Sequence, residues 1–155
     1  MRMSLIATGV RMSSWVEQGF HEYVRRLPRE FALDLREIRP GPRSRTGDAN
    51  RARAVESARM LAIAGTSRIV ALDPGGRLLD SAGVAALLHQ WREDGRDVAL
   101  LVGGPDGLDL ECLSRAEFRW SLSPLIFPHA LVRIVVAEQL YRATTLLRNH
   151  PYHRG

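Results

Sequence analysis

A chain of 155 residues has the length of one domain and enough material to bury a core without disulfide or metal staples. Its hydrophobic content of 45% and charged content of 25% are ordinary for a soluble globular protein, and no apolar run reaches bilayer length, so no membrane partner is expected. The single cysteine, Cys112, excludes an intrachain disulfide framework and points to a reducing, cytoplasmic setting.

Residues 3–9 form a short apolar run, too short for the core of a signal peptide, and read as a first strand. Ser14-x-x-Glu17 is a capping box for a helix with Val16, Phe20, Val24 and Leu27 on one face, ended by Pro28. Residues 33–38 read as a second strand, with Leu33 and Leu35 alternating. Residues 39–47 are a Pro/Gly/Ser loop among a cluster of Arg36, Arg39, Arg43, Arg45, Arg51 and Arg53.

That cluster carries much of the charge asymmetry. The net charge is +5, and all 22 basic residues are Arg. Residues 1–60 hold 12 Arg against 7 acidic residues, and residues 61–155 hold 10 of each. Guanidinium forks suit phosphate, so the loop is a phosphate-binding patch or a solvated loop, and composition alone does not choose.

Asp48 is placed to cap an Ala-rich helix that stops at Gly65. Arg68–Asp73 is a third strand followed by a Pro74-Gly75-Gly76 turn. A helix capped by Asp80 or Ser81 places Val84, Leu87, Leu88 and Trp91 on one face and closes at Gly95. Asp97–Gly103 is a fourth strand, 118–122 a fifth, and 130–148 a final helix with Val132, Val135, Val136, Leu140 and Leu147 toward the core. Strands alternating with helices predict one α/β domain over residues 1–155, with a mainly parallel sheet.

Ligands of open α/β sheets bind beyond the carboxyl ends of strands. Three such ends stand out: Leu72 to Gly76, Val102 to Gly107, and Leu122-Ser123-Pro124-Leu125-Ile126-Phe127. Gly103 and Gly104 would let a ligand approach the backbone, or they simply make a tight turn. The third segment offers apolar side chains and backbone edges suited to an adenine ring. Neither a P-loop nor a G-x-G-x-x-G turn is present.

The final residues, Asn149-His150-Pro151-Tyr152-His153-Arg154, concentrate groups that hold anions, stack on bases and move protons. His150 and His153 have a spacing that some metal sites use, but no second Cys/His pair accompanies them, so no metal is expected. Asn149 is placed to cap the final helix. Glu138 is placed to pair with Arg142 at i+4.

The segments Leu101-Val-Gly-Gly-Pro-Asp-Gly107, Ser121 to His129, Leu131-Val-Arg133, Ala137-Glu-Gln-Leu-Tyr-Arg142 and Asn149 to Arg154 resemble the RlmH family, SPOUT-class methyltransferases of large-subunit ribosomal RNA. The resemblance runs the length of the chain, through Arg11-Met-Ser-Ser-Trp15, Gly19-Phe-His-Glu-Tyr23 and Gly95-Arg-Asp97. Asp106 stands where the family often has Glu, which keeps the carboxylate.

The resemblance implies a SPOUT-type α/β fold, with helices on both faces of the sheet and a C-terminal trefoil knot. Topology rules alone would reject the knot. It implies S-adenosylmethionine held by Leu72, Gly103, Gly104 and Leu122 to Phe127. It implies a homodimer in which one subunit's tail completes the other's site. The substrate would be N3 of a pseudouridine in 23S rRNA of the assembled 70S ribosome.

N3 lies between two carbonyls and must lose a proton before it attacks. His153 is therefore expected to accept that proton or orient the base, Arg154 to stabilise the anion or grip a phosphate, and Tyr152 to stack on or bond the nucleotide. Arg43, Arg45, Arg133 and Arg142 are the expected RNA contacts. Two other readings are a non-catalytic ribosome- or RNA-binding protein and a SPOUT methyltransferase acting on tRNA.

Overall fold

The computed structural model describes residues 1–9, 11–42 and 49–154. Arg43, Arg45 and the expected cap Asp48 lie outside the described residues.

Five strands, β1 (Met3–Thr8), β2 (Leu33–Ile38), β3 (Arg68–Leu78), β4 (Val98–Val102) and β5 (Phe118–Ser121), form one sheet in the order β2-β1-β4-β3-β5. Every pairing is parallel, with Met3 opposite Leu33 on one side and Val98 on the other. The helices are α1 (Ser14–Val24), α2 (Ala49–Ala64), α3 (Ser81–Asp94), α4 (Leu110–Arg115) and α5 (His129–Leu147).

The period of two along each strand divides the core between two faces. Met3, Leu5, Ala7, Val98, Leu100 and Val102 point to one face, where they meet Phe20 of α1, Val84, Leu88 and Trp91 of α3, and Val136 and Leu140 of α5. Ile6, Ala99 and Leu101 point to the other, against Met60, Leu61 and Ala64 of α2 and Cys112 of α4. Helices therefore cover both faces. All five residues of β4 are buried, which is why its sequence is a continuous apolar run rather than an alternating one.

Local signals explain most boundaries. Asp80 caps α3, accepting from Gly83 N at 2.7 Å, and Gly95 ends the helix with φ 80°. Gly65 ends α2 with φ 56°. Helix α5 ends in a Schellman motif: Asn149 takes φ 55°, its N–H donates to Leu146 O at 3.2 Å, and His150 N–H donates to Thr145 O at 2.8 Å.

Three expectations are corrected. Helix α1 is capped by Ser13, whose side chain makes no capping bond, so Ser14 and Glu17 are not a capping box. The helix ends at Val24, and Pro28 instead opens a short 3-10 turn over Arg29–Phe31. Strand β3 does not stop at Asp73. Leu72 and Arg77 both oppose Trp120 on β5, so residues 73–76 form a bulge and the pairing resumes. A Cβ on Gly76 would lie 2.6 Å from the carbonyl carbon of Arg119, too close for any side chain there. Among the described residues no helix is long and apolar enough to cross a membrane.

Candidate functional site

Strands β4, β3 and β5 are neighbours, so their carboxyl ends converge. A cleft of about 420 Å³ opens there, walled by Leu72 to Pro74, by Val102 to Pro105 with Gly107, and by Trp120 to Ser123 with Leu125 to Phe127. The first turns of α5 close it with Pro128, His129 and Val132. Leu72, Gly103, Gly104, Leu122, Ser123, Leu125, Ile126 and Phe127 all line it, while Pro124 is exposed beside it. The α5 wall and Trp120 were not singled out from the sequence. The signal was present in the period of two from Phe118 to Trp120 and in the Pro128-His129 helix start.

The walls are braced by short local bonds. Gly107 N–H donates to Gly104 O at 3.0 Å, closing a tight turn over Pro105 and Asp106. Gly107 takes φ 77°, and Arg53 of α2 donates to the Asp106 carbonyl at 3.2 Å. A Cβ on Gly103 would sit 2.4 Å from the carbonyl carbon of Gly107. The bare backbone at Gly103 thus admits the chain's own turn. In the third segment Ser123 Oγ accepts from Leu125 N at 3.0 Å, and Ser121 Oγ donates to Ser123 O at 3.1 Å. Asp73, on the rim, is held by Arg119 Nε at 2.9 Å.

The electrostatics are distinctive for so basic a chain. Among the described lining residues none carries a guanidinium, although the chain has 22 Arg. His129 is half-buried; burial, reinforced by Arg133, holds its pKa below the ordinary value of 6.5. The wall is neutral apart from Asp73, and it suits an apolar or cationic ligand better than an anionic one.

The tail lies elsewhere on α5. Residues Pro151–Arg154 form a 3-10 turn that folds back on the helix. Tyr152 packs edge-on against Tyr141 with ring centroids 4.6 Å apart, and its hydroxyl donates to Glu138 Oε1 at 3.1 Å. Burial and the Glu138 carboxylate push the Tyr152 phenol up to about 12. Arg142 pairs with Glu138 at 2.8 Å, the i+4 pair read from sequence, and lies 5.1 Å from the Tyr152 ring centroid. His153 is half-buried with Nδ1 shielded and unbonded, and Arg154 is exposed. His150 Nδ1 accepts from the Tyr152 backbone N–H at 3.2 Å. Among the described residues no group of three or more His, Cys, Asp or Glu is arranged to hold a metal ion.

Glu138 is nine residues beyond His129, about 13 Å along the helix axis. None of Tyr152, His153 and Arg154 lines the cleft of its own chain. Arg133 is 3% exposed, with Nη2 bonded to Thr8 O at 3.0 Å and to Glu37 Oε2 at 3.3 Å, so most of its guanidinium is engaged within the fold, at the floor of a second hollow lined by Gly9, Arg11 and Arg39.

Comparison with known proteins fits this geometry. A family model described as predicted SPOUT methyltransferase matches residues 1–153. The chain belongs to the SPOUT methyltransferase family. Within it, the chain is 57% identical over 155 residues to the ribosomal RNA large subunit methyltransferase H of Methylococcus capsulatus, covering 99% of this chain and all of that one. It is 53% identical to the protein of the same name from Alkalilimnicola ehrlichii, with both chains fully covered.

Among solved structures, a probable methyltransferase from Bordetella pertussis Tohama I superposes with a TM-score of 0.56 at 14% identity, covering 92% of this chain and 95% of that one. A probable methylase family protein from Haemophilus influenzae gives 0.55 at 15% identity, over 97% and 69%. These two likenesses show the fold alone. The SPOUT assignment makes this chain a methyltransferase and matches the fold expected from its sequence.

Proposed function

We propose that this SPOUT methyltransferase transfers a methyl group from S-adenosylmethionine to N3 of a pseudouridine in 23S rRNA, on the assembled 70S ribosome of the cytoplasm. The observation that carries the donor is the cleft. It pairs apolar walls with backbone edges for an adenine, and among the described residues no guanidinium lines it, which suits a sulfonium cation. Leu72, Gly103, Gly104 and the segment Leu122 to Phe127 would hold the donor, with Pro124 shaping that segment from outside the wall. When bound, the donor supplies an activated methyl on sulfur, so the protein's work is alignment and charge stabilisation.

The acceptor role is ascribed to the tail. N3 bonds to the methyl carbon as the carbon–sulfur bond breaks, and the N3 proton leaves to a base. His153 accepts or guides that proton, and Arg154 faces the imide anion or a phosphate. Tyr152 keeps its own proton at neutral pH and acts as a donor or stacking group rather than a base. The tail docks far from the cleft of its own chain. A homodimer in which each tail completes the partner's cleft reconciles the two, and the C-terminal knot of the family is the expected frame. Arg43, Arg45 and Arg142 are the proposed RNA contacts. The names of the 53–57% identical relatives support a large-subunit rRNA substrate.

Methyl transfer from labelled S-adenosylmethionine tests the reading against 70S ribosomes, isolated large subunits and free tRNA, all from cells lacking this protein. Label confined to 70S 23S rRNA and mapped to a pseudouridine is the expected result. Label in tRNA would overturn the substrate, and absence of donor binding would overturn the donor.

A further inference from the structure

His129 sits at the first position of α5, half-buried, in the cleft wall. Its Nδ1 lies 3.1 Å from the carbonyl oxygen of Gly103. A carbonyl only accepts, so Nδ1 carries the hydrogen. Arg133, one turn further on, directs Nε and Nη2 at His129 Nε2, at 3.3 and 3.2 Å. A guanidinium only donates, so Nε2 offers its lone pair. Both bonds require the same neutral tautomer. Arg133 is fixed in turn by Thr8 O at the end of β1 and by Glu37 on β2. A continuous bonded path thus runs from the ends of β1 and β2, through two side chains of α5, to the end of β4 in the cleft.

We propose that His129 is a positioning residue for the methyl donor: its neutral ring fixes the Gly103 carbonyl in the cleft wall and keeps positive charge away from the bound sulfonium, with Arg133 enforcing that state. The inference rests on the S-adenosylmethionine reading of the cleft. Protonation at Nε2 would set an N–H against the N–H groups of Arg133 and place a cation in a wall that has no other among its described residues. The groups facing the ring are the Arg133 guanidinium, the Glu37 carboxylate and the Gly103 carbonyl. Burial and Arg133 lower its pKa, outweighing Glu37 and Gly103, so the ring stays neutral at pH 7 and charges only on acidification.

The test is binding rather than turnover. Dissociation constants for S-adenosylmethionine and for the uncharged thioether S-adenosylhomocysteine are measured by calorimetry near pH 7.5 and near pH 5.5, either side of the ordinary His range. They are measured for the wild-type protein, His129→Asn and His129→Ala. The wild-type protein should bind the sulfonium ligand more weakly at the lower pH, by less than about tenfold because the lowered pKa leaves the ring only partly charged there, and the thioether with little change. His129→Asn keeps an amide donor for Gly103 without titrating. It should stay within about threefold of wild type at the higher pH and lose the pH dependence. His129→Ala should bind both ligands about tenfold more weakly at either pH. Equal pH dependence for the two ligands in the wild-type protein, or a pH dependence retained in His129→Asn, overturns the proposal even if His129→Ala misfolds. Wild-type protein that binds neither ligand at either pH overturns the donor reading itself, and this inference with it.

Discussion

The Tyr152 hydroxyl donates to Glu138 Oε1 at 3.1 Å, and the same oxygen receives Arg142 Nη2 at 2.8 Å. One carboxylate oxygen therefore ties the tail to α5, the helix whose first turns wall the cleft. Glu138 Oε2 is used as well, accepting from Gln139 Nε2 at 2.7 Å, and Gln139 accepts from Ser81 of α3 at 2.9 Å. The tail is anchored to the body of the protein through a network rather than a single contact.

Glu138→Gln should release that anchor while leaving the cleft intact. The pair is partly exposed, with side chains 23% and 16% accessible, so the stability loss should be modest, about 1 kcal/mol. Methyl transfer to ribosomes should fall by at least about tenfold, the effect of about 1.4 kcal/mol in the transition state, while donor affinity changes less than about twofold. A double-mutant cycle with Tyr152→Phe separates the phenol from the rest of the network. Strict additivity of the two changes would mean that the Tyr152–Glu138 bond contributes nothing to the tail's role.

The Tyr152 proton also sets an alkaline limit. Its phenol titrates near 10.0 when unfolded and is pushed up to about 12 in the fold. A raised folded-state value means that the folded protein holds the proton longer, so the stability it contributes is complete below pH 10 and lost as pH rises through 12. Wild-type melting temperature should therefore fall more steeply across that window than that of Tyr152→Phe. The difference in tyrosinate absorbance between the two proteins should appear at the upper end of the window. Titration of Tyr152 near the ordinary value would contradict the part-buried Glu138 bond.

Asn149 makes the turn from α5 into the tail, and its φ of 55° is one that few non-glycine residues accept. Asn149→Gly should keep the Schellman motif and hold or slightly raise stability. Asn149→Val should cost about 1–2 kcal/mol and displace Tyr152 from Tyr141. For a domain of this size that corresponds to a fall of about 2–8 °C in melting temperature. Equal melting temperatures for the Gly and Val variants would mean that the turn does not hold α5 to the tail.

Much of this was legible because the decisive signals were local. Residues 33–38 form the strand that Leu33 and Leu35 announced, and Asp80 and Gly95 bound α3 because a cap and a left-handed glycine act within one turn. Glu138 and Arg142 met because i and i+4 share a helix face. What was missed depended on partners distant in sequence. Pro74-Gly75-Gly76 satisfies a turn and a bulge equally well, and only the opposing Trp120 shows which one forms. The six-residue α4, capped by Asp109, is too short to display a periodicity. Nothing near Arg133 in sequence shows that its guanidinium reaches Thr8, 125 residues away. The convergence of the three strand ends follows from the order β4-β3-β5, which no local pattern encodes.

Gly103 separates close packing within the turn from ligand access. Its missing Cβ makes room for Gly107, 2.4 Å from where that atom would lie, whereas a Cβ on Gly104 would meet Thr8 Oγ1 at 3.1 Å and Glu56 Oε2 at 3.2 Å. Gly103→Ala must push the Gly104–Gly107 turn outward. The contact is backbone on backbone, so no side chain can rotate away, and overpacking of this kind costs about 1–3 kcal/mol. The same displacement moves a cleft wall and pulls the Gly103 carbonyl from His129, so donor binding should weaken by at least about tenfold. At Gly104 the neighbours are side-chain oxygens that yield by a few tenths of an ångström, so Gly104→Ala should cost less on both measures. Calorimetric donor binding and thermal melts on the two variants give the comparison. If Gly104→Ala proved the more damaging for binding while both proteins stayed folded, direct ligand contact at Gly104, rather than the crossing of the turn beneath Gly103, would be the reason this strand end is glycine.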